Sequence, residues 1–234
     1  RATPARDGRP VMADGRRERG RPAFLTSANG EVIARVASDP RLRHIFLSAD
    51  QILADGQPLV MASRFLCNRA LPERVATTDL FHDVARLAEG SGHSFYLFGA
   101  SPAENARALD RVQAAYPRLR IAGACHGFLK GEELERKLDE INALAPDIIW
   151  LAMGVPREQH FVRQYAARLS NVGVIKTSGG LFNFLSGTNP RAPLWMQKVG
   201  LEWAFRLWLE PKRLFWRYLS TNPKSAYLIL TRSS

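Results

Sequence analysis

The chain has 234 residues, 46% of them hydrophobic, and a net charge of +11. That is enough apolar material for one large α/β domain, or a domain with an appendage. The longest apolar runs, such as Ile148 to Met153, are far too short to cross a bilayer, and Cys67 and Cys125 stand in no metal-type spacing.

Where the charge lies matters more than its size. Residues 1–22 hold seven Arg against Asp7, Asp14 and Glu18, and residues 191–234 hold eight Lys or Arg against Glu202 and Glu210. The middle is therefore almost neutral. A nucleic-acid domain spreads its basic footprint over the folded surface. Basic ends on a neutral body suit an anionic membrane surface better, and no nucleic-acid partner is expected. The cysteine usage and the lack of a visible signal peptide favour a reduced, cytoplasmic setting.

Residues 1–22 are rich in Arg, Gly and Pro, show no apolar period, and read as a mobile segment. From Ala23 to Ala28 the pattern predicts a short strand that ends in small polar residues, with a helix from about Glu31. Ser27 and Asn29 sit at that junction, where such residues usually cap a helix and where they could also face a ligand.

The next element organises the chain. A strand is expected over His44 to Leu47, running towards Asp55-Gly56, a sharp turn, with Pro58 opening a helix. That places the Asp55 carboxylate at the C-terminal mouth of a strand, where open α/β sheets keep their ligands. Taken alone, an Asp-Gly pair is more often a plain turn.

A helix capped by Thr78 or Asp79 should run to about Gly90, followed by a strand over Ser94 to Phe98. The strand breaks at Gly99, and a helix runs from there to about Tyr116. A strand, a glycine, a cap residue and a helix together make an anion site available, although a bare β-to-α turn has the same signature. A strand over Leu119 to Ala122 and a charged helix over Glu132 to Leu144 come next, and then an apolar strand over Asp147 to Met153. Gly154 turns this strand into a helix carrying Glu158 and Gln159, which continues to about Leu169. A last strand over Val172 to Lys176 leads into a short helix over Leu181 to Leu185. Strand and helix alternate throughout 23–187. That predicts a Rossmann-like parallel sheet with helices on both faces, in an α/β domain over 23–190.

Residues 191–234 differ. Trp195, Trp203, Trp208 and Trp216 are four of the five tryptophans, and Arg206, Lys212, Arg213 and Arg217 interleave with them. Leu201, Phe205, Trp208 and Leu209 share one helical face before Pro211. Aromatic and basic residues on amphipathic helices mark an interfacial membrane contact. The other uses of such a segment are packing on the domain or a homo-oligomer interface.

Several of these blocks, in one order, resemble the WecG/TagA/CpsF glycosyltransferases over roughly residues 21–220. They are Thr26-Ser27-Ala28-Asn29, Ala49-Asp50 to Asp55-Gly56, Leu71-Pro72-Glu73-Arg74-Val75 and Gly154-Val155-Pro156. Arg191-Ala192-Pro193-Leu194-Trp195, Gly200 to Arg206 and Glu210 to Leu214 complete the set. The resemblance implies a peripheral enzyme at the cytoplasmic face of a bacterial inner membrane. Such an enzyme moves a sugar from a UDP-sugar to a polyprenyl-diphosphate-linked sugar for a surface polysaccharide, with inversion and without a bound metal. It implies Asp55 as the catalytic base, Ser27 in the place of a Thr, and Asn29 and Arg74 in matching places. The family order Gln-Glu is reversed here as Glu158-Gln159. Arg191, Arg206, Arg213 and Arg217 are candidate phosphate contacts, together with the helix N-termini after Gly99 and Gly154. No Asp-x-Asp pair lies at a strand end, so no cofactor beyond the UDP-sugar donor is expected. Two rivals remain. One is a dinucleotide or epimerase-type enzyme, disfavoured because no G-x-G-x-x-G precedes an acidic residue at the right distance. The other is a non-enzymatic membrane adaptor.

Overall fold

The computed structural model describes residues 20–232, without the side chains of 194, 198, 213, 217 and 232. The basic segment 1–22 therefore lies almost wholly outside the described residues. β1 (Ala23–Ala28) leads into α1 (Gly30–Ser38), and α2 (Pro40–Leu47) follows at once. The strand expected over His44 to Leu47 is the end of α2. Asp39 accepts hydrogen bonds from the backbone of Arg41 and Leu42, and Pro40 sits in the first turn. That start signal sets a helical period, which buries Leu42, Ile45 and Phe46 on one face. The strand that runs to Asp55 is β2 (Gln51–Ala54), and Pro58 does open α3 (Gln57–Leu66).

α4 (Thr77–Ser91) begins slightly before the expected caps Thr78 and Asp79, and no side chain of its own flank caps it. β3 (Ser94–Gly99), α5 (Pro102–Ala115), β4 (Arg120–Cys125) and α6 (Gly131–Leu144) follow as expected, β4 running three residues further than predicted. β5 (Ile148–Ala152) leads to α7 (Arg157–Tyr165), whose end tightens into a 3₁₀ turn over Ala166–Arg168. β6 (Val174–Thr177) and α8 (Leu181–Leu185) close the alternating part. The last helices are α9 (Leu194–Lys198), α10 (Glu202–Leu209) and α11 (Pro211–Arg232).

The six strands form one parallel sheet in the order β2-β1-β6-β5-β3-β4. Right-handed crossovers then send α4 and α5 to one face and α2, α6 and α7 to the other. Each face has its own core. Phe24, Tyr96, Phe98, Ile149, Leu151 and Ile175 meet α6 and α7. Phe95, Leu97, Trp150 and Ala152 meet α4, α5 and α8. Alternate residues of β3 and β5 thus serve opposite cores, and side chains such as Phe95, Leu97, Ile149 and Leu151 are fully buried. Each contributes roughly 1.5–3 kcal/mol relative to exposure. This accounts for the unbroken apolar runs of these strands.

The helices after residue 190 do not stand apart from the sheet domain. α11 packs along α1 and also touches α3 and α10. At the start of α1, a Cβ on Gly30 would come within 3.0 Å of the Ser225 hydroxyl. Glycine there lets the last helix approach the N-terminus of the first.

Candidate active site

Because every strand is parallel, all six C-terminal ends open on one edge of the sheet. There Asp55 follows the edge strand β2 and Asn29 follows β1. Asn29 caps α1, its Oδ1 accepting from the Val32 backbone at 3.0 Å, and it also lines a cleft of about 410 Å³. The floor of the cleft is Asn29 to Glu31, Asp55 to Leu59 and Arg74. Its opposite wall belongs to the C-terminal helices: Gly200, Glu202, Trp203 and Arg206, with Tyr218, Asn222, Ser225, Ala226 and Ile229 of α11. A second hollow of about 310 Å³, beside Ser94, Arg120 and Asp147, opens at the other end of the strands.

Asp55 is held from several sides. Thr77 Oγ1 donates to Oδ2 at 2.9 Å, and the Thr77 backbone N–H points at the same oxygen from 3.4 Å. Asp55 therefore supplies, from across the cleft floor, the negative charge that the uncapped N-terminus of α4 lacks. The other oxygen, Oδ1, lies 3.9 Å from the Arg74 guanidinium. Burial pushes the Asp55 carboxyl above its ordinary value, against the pull of Thr77, Arg74 and Arg206. A carboxylate raised in this way is a better base near neutral pH than an exposed one.

Two cations face it. Arg74 donates to Glu202 Oε2 at 2.6 Å, and Arg206 donates to Glu202 Oε1 at 2.8 Å, so one carboxylate of α10 holds both guanidiniums. Burial alone would raise Glu202, but Arg206 and Arg74 outweigh it and keep it ionised. Arg206 also lies over the Phe184 ring at 4.9 Å. The Nε atoms of Arg74 and Arg206 are buried with no hydrogen-bond partner among the described residues. This fork of two arginines is suited to oxygen-rich anions. Arg191 stands outside the lining, paired with Asp79 and donating to Gln197 Oε1 at 2.8 Å. Arg213 and Arg217 belong to α11, but their side chains lie outside the described residues.

The remaining sequence candidates are not in the cleft. The Ser27 hydroxyl is turned inward, taking a hydrogen bond from Lys176 Nζ at 2.8 Å and lying 3.3 Å from Thr77 Oγ1. Glu158 and Gln159 are both buried on α7. Glu158 accepts from the Gly179 backbone at 2.9 Å and from Gln159 Nε2 at 3.2 Å, which leaves Gln159 Oε1 without a partner among the described residues. Burial raises the Glu158 carboxyl. Gly99 is required for packing: a Cβ there would sit 2.1 Å from the Ala152 carbonyl oxygen. The helix after it is closed by its own capping box, Ser101 with Glu104. Gly154, at φ 78°, forms the left-handed turn into α7.

Three residues of the site escaped the sequence reading. In the sequence Glu202 stands only as one of two acids among the tail's bases, and Thr77 carries no motif of its own. Lys176 closes the expected strand Val172 to Lys176. The signal for Lys176 was present, since it is a lone charge in the apolar run Val174-Ile175-Lys176-Thr177.

Residues 11–234 match the model of the Glycosyl transferase WecG/TagA/CpsF family. The chain belongs to this family. It is also 33% identical over 208 residues to the N-acetylglucosaminyldiphosphoundecaprenol N-acetyl-beta-D-mannosaminyltransferase of Bacillus spizizenii, covering 89% of this chain and 79% of the relative. The protein of the same name from Bacillus subtilis strain 168 is 31% identical over the same shares. The chain is thus a glycosyltransferase, as its motif order implied, and neither the dinucleotide enzyme nor the non-enzymatic adaptor describes it.

Proposed function

We propose that this glycosyltransferase moves a sugar from a UDP-sugar to a polyprenyl-diphosphate-linked sugar, with Asp55 as the base. The observation that carries this reading is the joint geometry of one cleft. A half-buried carboxylate with a raised affinity for protons, two guanidiniums and an apolar wall of Trp203, Tyr218, Ala226 and Ile229 face the same space. Glu31 is engaged by Arg35 at 3.0 Å and Glu202 by two arginines, so Asp55 is the carboxylate best placed to take a proton.

In the transfer, Asp55 removes the proton of the acceptor hydroxyl as its oxygen bonds to the anomeric carbon. The bond from that carbon to the diphosphate oxygen breaks on the opposite side, which inverts the centre. The electron pair leaves with UDP, and Arg74 and Arg206 offset the growing charge. The names of the relatives favour an N-acetylglucosaminyl-diphospho-undecaprenol acceptor. Among the described residues no group of three or more His, Cys, Asp or Glu is gathered to hold a metal ion, and we assign leaving-group stabilisation to the arginines.

The acceptor would be reached from a membrane surface. Among the described residues no helix is long and apolar enough to cross a membrane. The C-terminal helices, however, expose Trp195, Trp208, Phe215, Trp216, Tyr227 and Leu230, a set that suits a peripheral contact with the cytoplasmic leaflet. The direct test is UDP release from a panel of UDP-sugars in the presence of a short-chain polyprenyl-diphospho-N-acetylglucosamine. Acceptor-dependent release with at least one donor is expected, and no release with any donor would overturn the reading.

A further inference from the structure

Lys176 is 1% exposed, in the middle of a parallel sheet, yet it carries an ammonium. It pairs with Leu25 across β1 and β6, on the face covered by α4 and α8, and reaches forward to the next residue of β1 on that face. Nζ donates to Ser27 Oγ at 2.8 Å and to the Thr177 carbonyl at 2.7 Å. Ser27 Oγ lies 3.3 Å from Thr77 Oγ1, and Thr77 Oγ1 lies 2.9 Å from Asp55 Oδ2.

The chemistry of the groups fixes the direction of this chain. An ammonium only donates and a carboxylate only accepts, whereas each hydroxyl has one proton to give. Thr77 spends its proton on Asp55, so it must accept from Ser27. Ser27 then gives its proton to Thr77 and accepts from Lys176. The four groups form a one-way row of donors, starting at a buried cation on β6 and ending on Asp55.

We propose that Lys176 is a positioning residue for the base, acting through the Ser27 and Thr77 hydroxyls to fix the Asp55 carboxylate as an acceptor on Oδ2 and leave Oδ1 to the substrate. The inference rests on the reading of Asp55 as the base. It explains why a charge is kept in the core: among the described residues Lys176 has no carboxylate within 4.0 Å, so it makes no ion pair to offset its burial. Glu158 and Asp55 act on it only through space, and burial lowers its pKa to about 8. Around Asp55 stand Arg74 from the loop before α4, Arg206 and Glu202 from α10, and Arg191 from the loop before α9. Lys176 approaches from beneath, along the face of the sheet that it shares with Ser27.

The experiment compares wild type with Lys176→Met and Ser27→Ala. Asp55 is titrated by carbon-13 NMR in protein labelled at the aspartate carboxyl, its resonance assigned by loss in Asp55→Asn. Turnover is followed across pH with the UDP-sugar and the lipid-linked acceptor. In Lys176→Met the Asp55 midpoint is expected to move up. Turnover below the acid limb should fall by about tenfold, the effect of a one-unit displacement. UDP binding should be unchanged, because Lys176 does not line the cleft. Ser27→Ala cuts the chain without removing the charge. It carries the test if Lys176→Met does not fold, and it should move the midpoint the same way. Ser27→Thr, which keeps the hydroxyl, should restore it. An unmoved midpoint in the folded variants overturns the positioning role. A midpoint that moves while the acid limb of turnover stays in place upholds the chain and overturns Asp55 as the base.

Discussion

Burial draws the Asp55 carboxyl upward while Thr77 and Arg74 draw it down, and burial prevails. The same carboxylate faces the N-terminus of α4, so its shape matters to the fold, and in the proposed role its basicity matters to the chemistry. Asp55→Asn keeps an oxygen for the Thr77 hydroxyl and removes the proposed base. We expect an unchanged circular dichroism spectrum and a loss of turnover of at least about a hundredfold; turnover near that of wild type would sink the role. Lys176 leaves a second mark, on stability. Its pKa is about 8 in the folded protein, against 10.5 as its ordinary value. Between these values the unfolded chain binds more protons than the native one, so stability rises with pH through this window. Urea titrations should show wild type gaining on Lys176→Met between pH 8 and 10.5, by up to about 3 kcal/mol. Equal pH slopes would remove the anomalous lysine. At this scale the sequence made Asp55 and Asn29 legible through turn and cap chemistry, and Arg74 through motif order. It could not reveal the row from Lys176 to Asp55. Ser27 and Lys176 are 149 positions apart, and only strand register brings them together.

Among the elements, α10 is the one that turns a sheet edge into a cleft. Glu202 and Arg206 lie one turn apart on it, at i and i+4, so a single helical face delivers both the carboxylate that orders Arg74 and a second guanidinium. Arg206→Ala should weaken UDP binding by about 10- to 100-fold, the range for losing a charge-assisted hydrogen bond. Isothermal calorimetry would measure it, and an affinity within twofold of wild type would place the diphosphate elsewhere. If the arginines carry the leaving-group charge, transfer should persist in EDTA; activity lost there and restored by magnesium or manganese would contradict that role. Most elements could be read from period and punctuation. The exceptions were β2, for which no strand is expected over Gln51 to Ala54, and α2, where His-Ile-Phe-Leu looks like strand. Asp39-Pro40 upstream decides otherwise, because a cap and a fixed φ nucleate the helix before the apolar run begins. The start of α4 moved for a related reason: its capping charge comes from Asp55, 22 residues earlier, and not from its own flank.

For the molecule as a whole, the basic aromatic tail was legible from composition, but its position over the cleft was not. Composition cannot show that α11 lies against α1. Truncation at 191 would strip the partner from Gly30 and one wall from the cleft, so point substitutions are the cleaner probe. Trp208 and Trp216 are 76% and 71% exposed. Changing both to Ser should leave the melting temperature within about 2 °C and lower binding to anionic vesicles by at least about tenfold. High salt should weaken what remains. Equal co-sedimentation of both proteins would instead favour a homo-oligomer interface. The sheet order has a further consequence, in the order of synthesis. β1 is made early, but its inner neighbour is β6, which ends at Thr177. At about 5–20 residues per second, β1 and β2 wait roughly six to thirty seconds for that neighbour to be made. The proposed base therefore emerges from the ribosome early and gains its surroundings late. The cleft therefore has no opposite wall until α10 and α11 have also been translated, and a partly made chain presents its floor open to solvent.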